Sequence, residues 1–449
     1  MAELVGHRNK SPSPRLDFYY CWLYKKLSLW HSDAMETKYD VIVVGGGPAG
    51  MMAAGRAGEL GARVLLLEKN DQLGKKLKIT GGRRCNITNA EFDNRIFLEN
   101  FENAKHFLFS PFSQFNVENT FEFFEGRGLP LMVEDRKRAF PQSERAEDVS
   151  NILQEYVEET GNVWVKLGSE VTEIIKVDSR ITGVIANGKK YLGNKIIIAT
   201  GGLAAPETGS TGEIFDMLSA IGHKVEASDT NLAPLKTPAE WVHLLAGALL
   251  EEMTLRYIQA NKVKFKETGR LLFTHFGISG PLVINSAFKV GTLLRDGEVE
   301  ASIDLFPRIE AGDFDKMILD LFEANKNKML RNVLADLLQK KLLEVILTLP
   351  GLRIGEKQVN AISKEERKLL TKTLKDLRFP ISGTMGLEWG IIADGGVVPR
   401  EVDFKTMQSK IYPNLYLIGD TLHINRPSGG FSLQLCWTTG YIAGSHSAS

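Results

Sequence analysis

Gly45, Gly47 and Gly50 stand in G-x-G-x-x-G spacing, directly after the apolar run Val41 to Val44 and before a stretch rich in Ala, Gly and Met. A buried strand that breaks into a tight turn and then a helix is the geometry that receives a dinucleotide pyrophosphate. Gly45 permits the turn. Gly47 leaves room for phosphates beside the backbone, and Gly50 lets the helix pack on the strand. Pro48 and Ala49 complete the loop, whose helix N-terminus offers free N–H groups and a favourable dipole. Glu68 follows 23 residues after Gly45, at the end of the second apolar run "ARVLLLEKN" (62–70). A carboxylate there binds ribose hydroxyls and repels a 2′-phosphate.

Three features select FAD over NAD. The motif opens the folded region. A second buried run, "IIIATGG" (196–202), ends in a small-residue turn that includes Thr200 and Gly201, and a third, "LYLIGD" (415–420), ends in Asp420. Asp420 is placed to bind the polyol chain that joins flavin to phosphate, a chain NAD lacks. The basic stretch "GKKLKITGGRRCNITN" (74–89) suits a loop over pyrophosphate and flavin. "RPSGGFSLQLCWTTGYIAG" (426–444) is a Gly-rich turn opening a helix whose N-terminus could stabilise a reduced flavin ring.

Candidates for the chemistry itself are fewer. His275 in "FTHFGISGP" (273–281) could act as acid or base, a role suited to the histidine side chain, or be a hydrogen-bonded structural histidine. Cys85 and Asn86 sit in the basic loop. Cys85 has no C-x-x-C partner, so disulfide chemistry is not expected; a packing role beside the cofactor and a lone catalytic thiol both stay open. No second G-x-G-x-x-G occurs. The flavin is then reduced by the substrate itself or by NAD(P)H as a transient donor without its own Rossmann domain.

The elements that must hold these residues follow from patterning. The 449-residue chain is long enough for two or three domains. Lys plus Arg and Asp plus Glu are both 55, which gives no sign of a nucleic-acid partner. Three dispersed cysteines suit a reducing, cytoplasmic setting, and no apolar run approaches the roughly 18 residues of a membrane span. Residues 1–35 read as a leader outside the folded enzyme, with an aromatic patch "FYYCWLY" (18–24). The expected fold is α/β, with a split Rossmann-like FAD domain over 36–205 and 390–449. A β-rich substrate domain is expected over 206–308 and 375–389, with strand-like pattern from 225 to 307. A helical insertion is expected over 309–374. There, Leu330 to Leu349 keep helical spacing until Pro350–Gly351, and Ser363 with Glu366 forms a capping box.

Six ordered motifs carry a resemblance over residues 38–445: "VIVVGGGPAG", "GKKLKITGGRRCNITN", "ATGGLAAPETGSTG" (199–212), "FTHFGISGP", "GGVVPREVDFKTMQSK" (395–410) and "LYLIGDTLHINRPSGGFSLQLCWTTGYIAG" (415–444). The chain resembles the bacterial three-domain NAD(P)/FAD-dependent oxidoreductases, the aminoacetone oxidase-like flavoproteins. The resemblance implies a GR2-type FAD domain with an inserted β-barrel-like domain that carries a helical insertion. It also implies FAD contacts at Gly45, Gly47, Gly50, Glu68, Lys69, Lys76, Gly81, Arg84, Cys85, Asn86, Val171, Thr200, Gly201, Asp420, Gly430 and Leu433. Two departures stand out. The family loop usually has a third glycine where this chain has Arg83, and often has Glu and Asn where this chain has Asp420 and Ser432. The first puts the loop backbone in question, since glycine alone takes every φ freely.

The resemblance implies hydride transfer between flavin and a small organic substrate, amine-oxidase-like or ene/ketone-reductase-like. Two alternatives stand beside it: a flavin-dependent RNA-modifying protein working by folate-linked methyl transfer, and a non-catalytic flavin-binding protein. A broad basic face on the helical insertion would favour the RNA reading.

Overall fold

The computed structural model describes residues 38–101, 104–226, 233–385 and 395–449. The leader expected at 1–35 lies outside the described residues. The continuous apolar run before the glycines forms β1 (Lys38–Val44), buried from Val41 onward. Pro48 at N1 starts α1 (Pro48–Glu59). A strand buried at every residue, β2 (Val64–Leu67), pairs parallel with β1. Helix α2 (Ala146–Glu159) then leads to β3 (Val163–Lys166), parallel to β2.

The three strands expected between 170 and 202 are β4 (Val171–Val177), β5 (Arg180–Ala186) and β6 (Lys189–Ile198). Their turns fall at Asp178 and at Asn187–Gly188, which adopt positive φ of 52°, 48° and 72°. The second half of β6 pairs parallel with a strand that returns from the far end of the chain, Leu415–Leu417. The nine-stranded sheet therefore places β1 between β2 on one side and β6 on the other. The chain order reverses at β1, so the carboxyl ends of β1 and β6 open a crevice at a topological switch point.

A second sheet of seven strands holds Leu249–Gln259, Lys262–Thr274 and Val299–Asp304 at its centre, all paired antiparallel. Its two edge strands, Leu377–Ile381 and Gly383–Thr384, are separated by Ser382 alone. Such neighbours can form opposite edges only if the sheet curls round, hence its barrel-like form. The capping box at 363–366 forms as expected. Ser363 Oγ accepts the Glu366 N–H at 3.1 Å, and Glu366 Oε2 accepts the Ser363 N–H at 2.9 Å.

Two expectations are corrected. The strand-like stretch 225–307 contains helices at Pro281–Ile284 and Ala287–Asp296. Its β-branched residues mimic a strand, yet Val283 in the first helix and Ala287 and Val290 in the second are buried at helical spacing, and Pro281 follows Gly280 as a helix-start signal. The run from Leu330 to Leu349 is not one helix but two, Leu330–Leu334 and Lys340–Ile346.

The buried side chains form two separate hydrophobic cores. One gathers residues from Val41 to Leu218 and from Val397 to Ala443; the other runs from Leu235 to Ile381 and includes the helical insertion. Ile214, Phe215 and Leu218 belong to the first. We propose that the helix Glu213–Ala220 goes with the first core. Among the described residues no helix is long and apolar enough to cross a membrane.

Candidate cofactor site

The carboxyl ends of the parallel strands surround one cleft of about 1020 Å³, open mouth included. Its wall takes Gly45 to Ala49 after β1 and Glu68 to Asn70 after β2. Ser169 to Val171 follow β3, Ala199 to Gly201 follow β6, and Ile418 and Asp420 come from the returning strand.

Each glycine of the motif has a distinct structural cause. Gly45 sits at φ 104°, and a Cβ on it would lie 2.5 Å from the Ala199 carbonyl oxygen. A Cβ on Gly50 would lie 1.9 Å from the Gly45 oxygen, so this glycine is required for packing and lies beneath the cleft. Gly47 is the opposite case: a Cβ there meets nothing within 4 Å. Its bareness serves the empty space of the cleft, where a ligand's phosphates would press against the backbone.

Glu68 is buried and held from three directions. Its Oε2 accepts the Gly46 N–H at 2.7 Å; its Oε1 accepts the Asn70 backbone N–H at 2.8 Å and the Asn70 amide at 2.7 Å. The carboxylate is thus fixed in orientation, and Oε2, which accepts a single hydrogen bond, keeps lone-pair capacity for a ribose hydroxyl. Lys69 turns to the mouth, donating to Thr211 Oγ1 at 2.6 Å and lying 3.5 Å from Glu213.

The other end of the cleft carries Lys76, Thr200, Asp420 and Cys436. Lys76 Nζ donates to the Ala204 carbonyl at 2.6 Å. Burial pushes its ammonium below the ordinary lysine value, and the Asp420 carboxylate opposes that shift. Thr200 Oγ1 is buried without a hydrogen-bond partner. An orphaned hydroxyl and a desolvated ammonium in a cleft wall are groups that a polar, anionic ligand would satisfy. The residues present therefore fit a dinucleotide such as FAD.

The closing helix, Phe431–Ser447, crosses α1 at close range. A Cβ on Gly440 would lie 2.6 Å from the Ala49 oxygen, and one on Gly444 2.6 Å from the Ala53 oxygen. This contact explains the Ala/Gly content of both helices. The turn before the closing helix is pinned to the basic loop: Asn89 Nδ2 donates to the Gly429 carbonyl at 3.4 Å, and Trp437 Nε1 to the Ile87 carbonyl at 2.9 Å.

Of the residues singled out from sequence, Gly45, Gly47, Pro48, Ala49, Glu68, Lys69, Lys76, Val171, Thr200, Gly201 and Asp420 line the cleft. Gly81, Arg84, Cys85, Asn86, Gly430 and Leu433 do not. Arg84 is drawn away by Glu134 and Glu144 and stacks 4.3 Å over the Phe140 ring. Cys85 is fully buried in the first core; burial pushes its thiol up to about 12, which leaves almost no thiolate at neutral pH. His275 is exposed at a turn between two strands, edge-on to Phe276 with ring centroids 4.9 Å apart, and is not in the cleft wall. Arg83 adopts φ 71° beside Gly81 at 56° and Gly82 at 68°, so the loop keeps its left-handed path through a residue that pays roughly 1 kcal/mol for it.

Sequence reasoning missed Asn70, Ser210, Thr211 and Cys436 in the wall, and Arg426 behind it. Asn70 had a local signal, an amide two residues after the acid. Arg426 had none. Its side chain is 1% exposed, ion-paired with Asp420, and its Nε donates to Ser432 Oγ at 2.8 Å. It thus joins Asp420 and Ser432, the pair of positions in the second departure from the resemblance.

The chain matches the family model described as the HI0933-like protein Rossmann domain over residues 39–446. It is 29% identical over 407 residues to the ribosomal RNA dihydrouridine synthase of Escherichia coli, a match covering 90% of this chain and 96% of that protein. It is 28% identical over 406 residues to the 3-dehydro-bile acid delta(4,6)-reductase of Clostridium scindens, covering 90% and 97%. Among solved structures, the 3-ketosteroid delta1-dehydrogenase from Sterolibacterium denitrificans aligns with a TM-score of 0.52 at 14% identity, over 92% of this chain and 99% of that one. The 3-ketosteroid-delta4-(5alpha)-dehydrogenase from Rhodococcus jostii aligns with a TM-score of 0.51 at 14% identity, over 93% and 98%. These two structures share the fold.

Proposed function

This chain is an FAD-dependent oxidoreductase of the HI0933-like Rossmann family, and from that premise we propose that it reduces a carbon–carbon double bond conjugated to a carbonyl in a small organic substrate. The observation that carries the cofactor half is the cleft wall itself, with bare Gly47, fixed Glu68 and orphaned Thr200. The reaction half is supported by the relatives' names: a dihydrouridine synthase and a delta(4,6)-reductase both saturate a carbon–carbon double bond.

In this reading the Gly45–Gly50 loop and the α1 N-terminus receive the pyrophosphate, Glu68 takes the ribose hydroxyls, and Asp420 takes the ribityl chain. Lys76 and Thr200 supply hydrogen-bond donors between them. Bound FAD supplies hydride exchange at its N5. The protein's share is to bind, orient and exclude water. NAD(P)H is the proposed donor, arriving without a Rossmann domain of its own.

A second reading, reduction of a uracil ring within RNA, is favoured by one observation. The exposed face of the strand Lys262–Thr274 presents Lys262, Lys264 and Lys266 in alternation. The helical insertion does not add to it. Its 12 Lys/Arg and 10 Asp/Glu between 309 and 374 interleave, with pairs such as Arg331–Glu356 and Lys357–Glu366.

Anaerobic mixing tests both halves. The FAD-loaded protein should be bleached by NADH or NADPH and re-oxidised by an α,β-unsaturated ketone, with the saturated ketone as product. Bleaching by amines alone, with peroxide formed on admitting oxygen, would replace this reading with an oxidase. Re-oxidation by uridine-containing RNA and not by the ketone would select the second reading.

A further inference from the structure

Arg426 is the most deeply buried cation at the cofactor cleft, yet it does not itself reach the cleft wall. Its guanidinium is held on three sides. One Nη ion-pairs with Asp420, the other donates to the Ile424 carbonyl, and Nε donates to Ser432 Oγ at 2.8 Å. Asp420 stands between this guanidinium and the cleft, with 22% of its side chain exposed. Ser432 lies in the first turn of the closing helix.

A buried guanidinium held through each of its three nitrogens is restrained, and removing it leaves its partner's charge uncompensated in a low-dielectric setting. The geometry has two consequences. Asp420 is held through Oδ1, which leaves the rest of its carboxylate for the cleft whose wall it forms. Its negative charge is also answered by a fixed cation on the side away from the ligand. Without Arg426, a bare carboxylate would face whatever occupies that end. Lys76 also attracts the Asp420 carboxylate, but from beyond ion-pair distance, whereas Arg426 is in direct contact with it.

We propose that Arg426 is a positioning residue that aims Asp420 at the cofactor and cancels its charge, so that this end of the cleft tolerates the negative charge of reduced flavin. The proposal rests on the FAD reading above and on Asp420 marking the flavin end. Reduced flavin that has gained two electrons and one proton carries one negative charge more than the oxidised form. An unanswered carboxylate nearby therefore penalises the reduced form more than the oxidised one.

The test compares the affinities of the apoprotein for oxidised and for reduced FAD, measured anaerobically by fluorescence titration. Arg426→Met should weaken reduced FAD about tenfold more than oxidised FAD, equivalent to lowering the bound flavin's two-electron potential by about 30 mV. Adding Asp420→Asn to Arg426→Met should restore the wild-type ratio of the two affinities, since the bare charge is then gone. A structural role alone would not predict that rescue. Should Arg426→Met fail to fold, Arg426→Lys keeps the charge and loses the fork; it should bind both forms more weakly with the ratio unchanged. An unchanged ratio in Arg426→Met, or a double variant no better than the single one, would overturn the proposal. Wild-type protein that binds neither form of FAD would overturn the cofactor reading instead.

Discussion

At one end of the cleft, the glycine loop, Glu68 and Asn70 come from a single stretch, residues 45–70. At the other, Lys76, Thr200, Asp420 and Cys436 are brought together from four remote places, with Arg426 behind them. The first end is a local device. Strand, turn, helix and strand put backbone and acid in place through β1, α1 and β2 alone. The second exists only once the parallel sheet has recruited its returning strand beside β6 and the closing helix has docked on α1. The local end is specified by steric rules that tolerate almost no substitution. The assembled end is specified by polar pairings that can be exchanged together.

The sharpest way to break this comparison lies within the glycine motif. Gly50→Val should destabilise the fold by about 3 kcal/mol or more, since its Cβ would sit 1.9 Å from the Gly45 oxygen. Gly47→Val, with nothing within 4 Å of its Cβ, should leave urea-unfolding stability within about 0.5 kcal/mol and weaken FAD at least tenfold, about 1.4 kcal/mol. If both variants unfolded alike, the division of labour between the two glycines would be wrong.

Cys85 tests whether the basic loop is packing or chemistry. Its thiol is pushed by burial from 9.0 up to about 12. The folded state therefore holds this proton to higher pH than the unfolded state does. The stabilising contribution is whole below pH 9 and is lost as pH rises through about 12, by at most about 1.4 kcal/mol per pH unit. Denaturant titrations at rising pH should show a shallower loss in Cys85→Ala than in the parent. An equal loss in both would show that the thiol does not titrate on unfolding.

Thr200 probes the assembled end. Its buried hydroxyl has no partner in the protein. Thr200→Val should stabilise the cofactor-free protein by about 1 kcal/mol and weaken FAD binding by a similar amount. A stability loss without cofactor would mean that the hydroxyl is satisfied within the fold. The smallest effect is expected far from the cleft. Lys262→Gln, Lys264→Gln and Lys266→Gln together should change stability by no more than about 0.5 kcal/mol and leave FAD affinity alone. Loss of RNA retention in that triple variant would favour the RNA reading.

What was legible in the sequence follows the same line. Gly45, Gly47, Gly50 and Glu68 could be read directly because their partners are near neighbours and the strand and helix periods around them are clean. The return of the chain at 196–202 and 415–420 was legible as apolar runs, which is why Thr200 and Asp420, both in the cleft wall, could be singled out. Arg84 lies outside the cleft wall for the opposite reason. A basic residue beside glycines looks like a phosphate ligand until the fold brings Glu134 and Glu144 against it. Arg426 looked like part of a Gly-rich turn, since nothing local shows that its side chain is buried between Asp420 and Ser432. The helix at Ala287–Asp296 was hidden by β-branched residues in a region otherwise built of strands.

The most direct test is titration of the cofactor-free protein with FAD, run in parallel on Gly47→Val and followed by flavin fluorescence and circular dichroism. The parent should bind one FAD per chain, and Gly47→Val, with an unchanged far-ultraviolet spectrum, should not bind at the same concentrations. A folded Gly47→Val variant that binds FAD as tightly as the parent would contradict the placement of the cofactor against this loop.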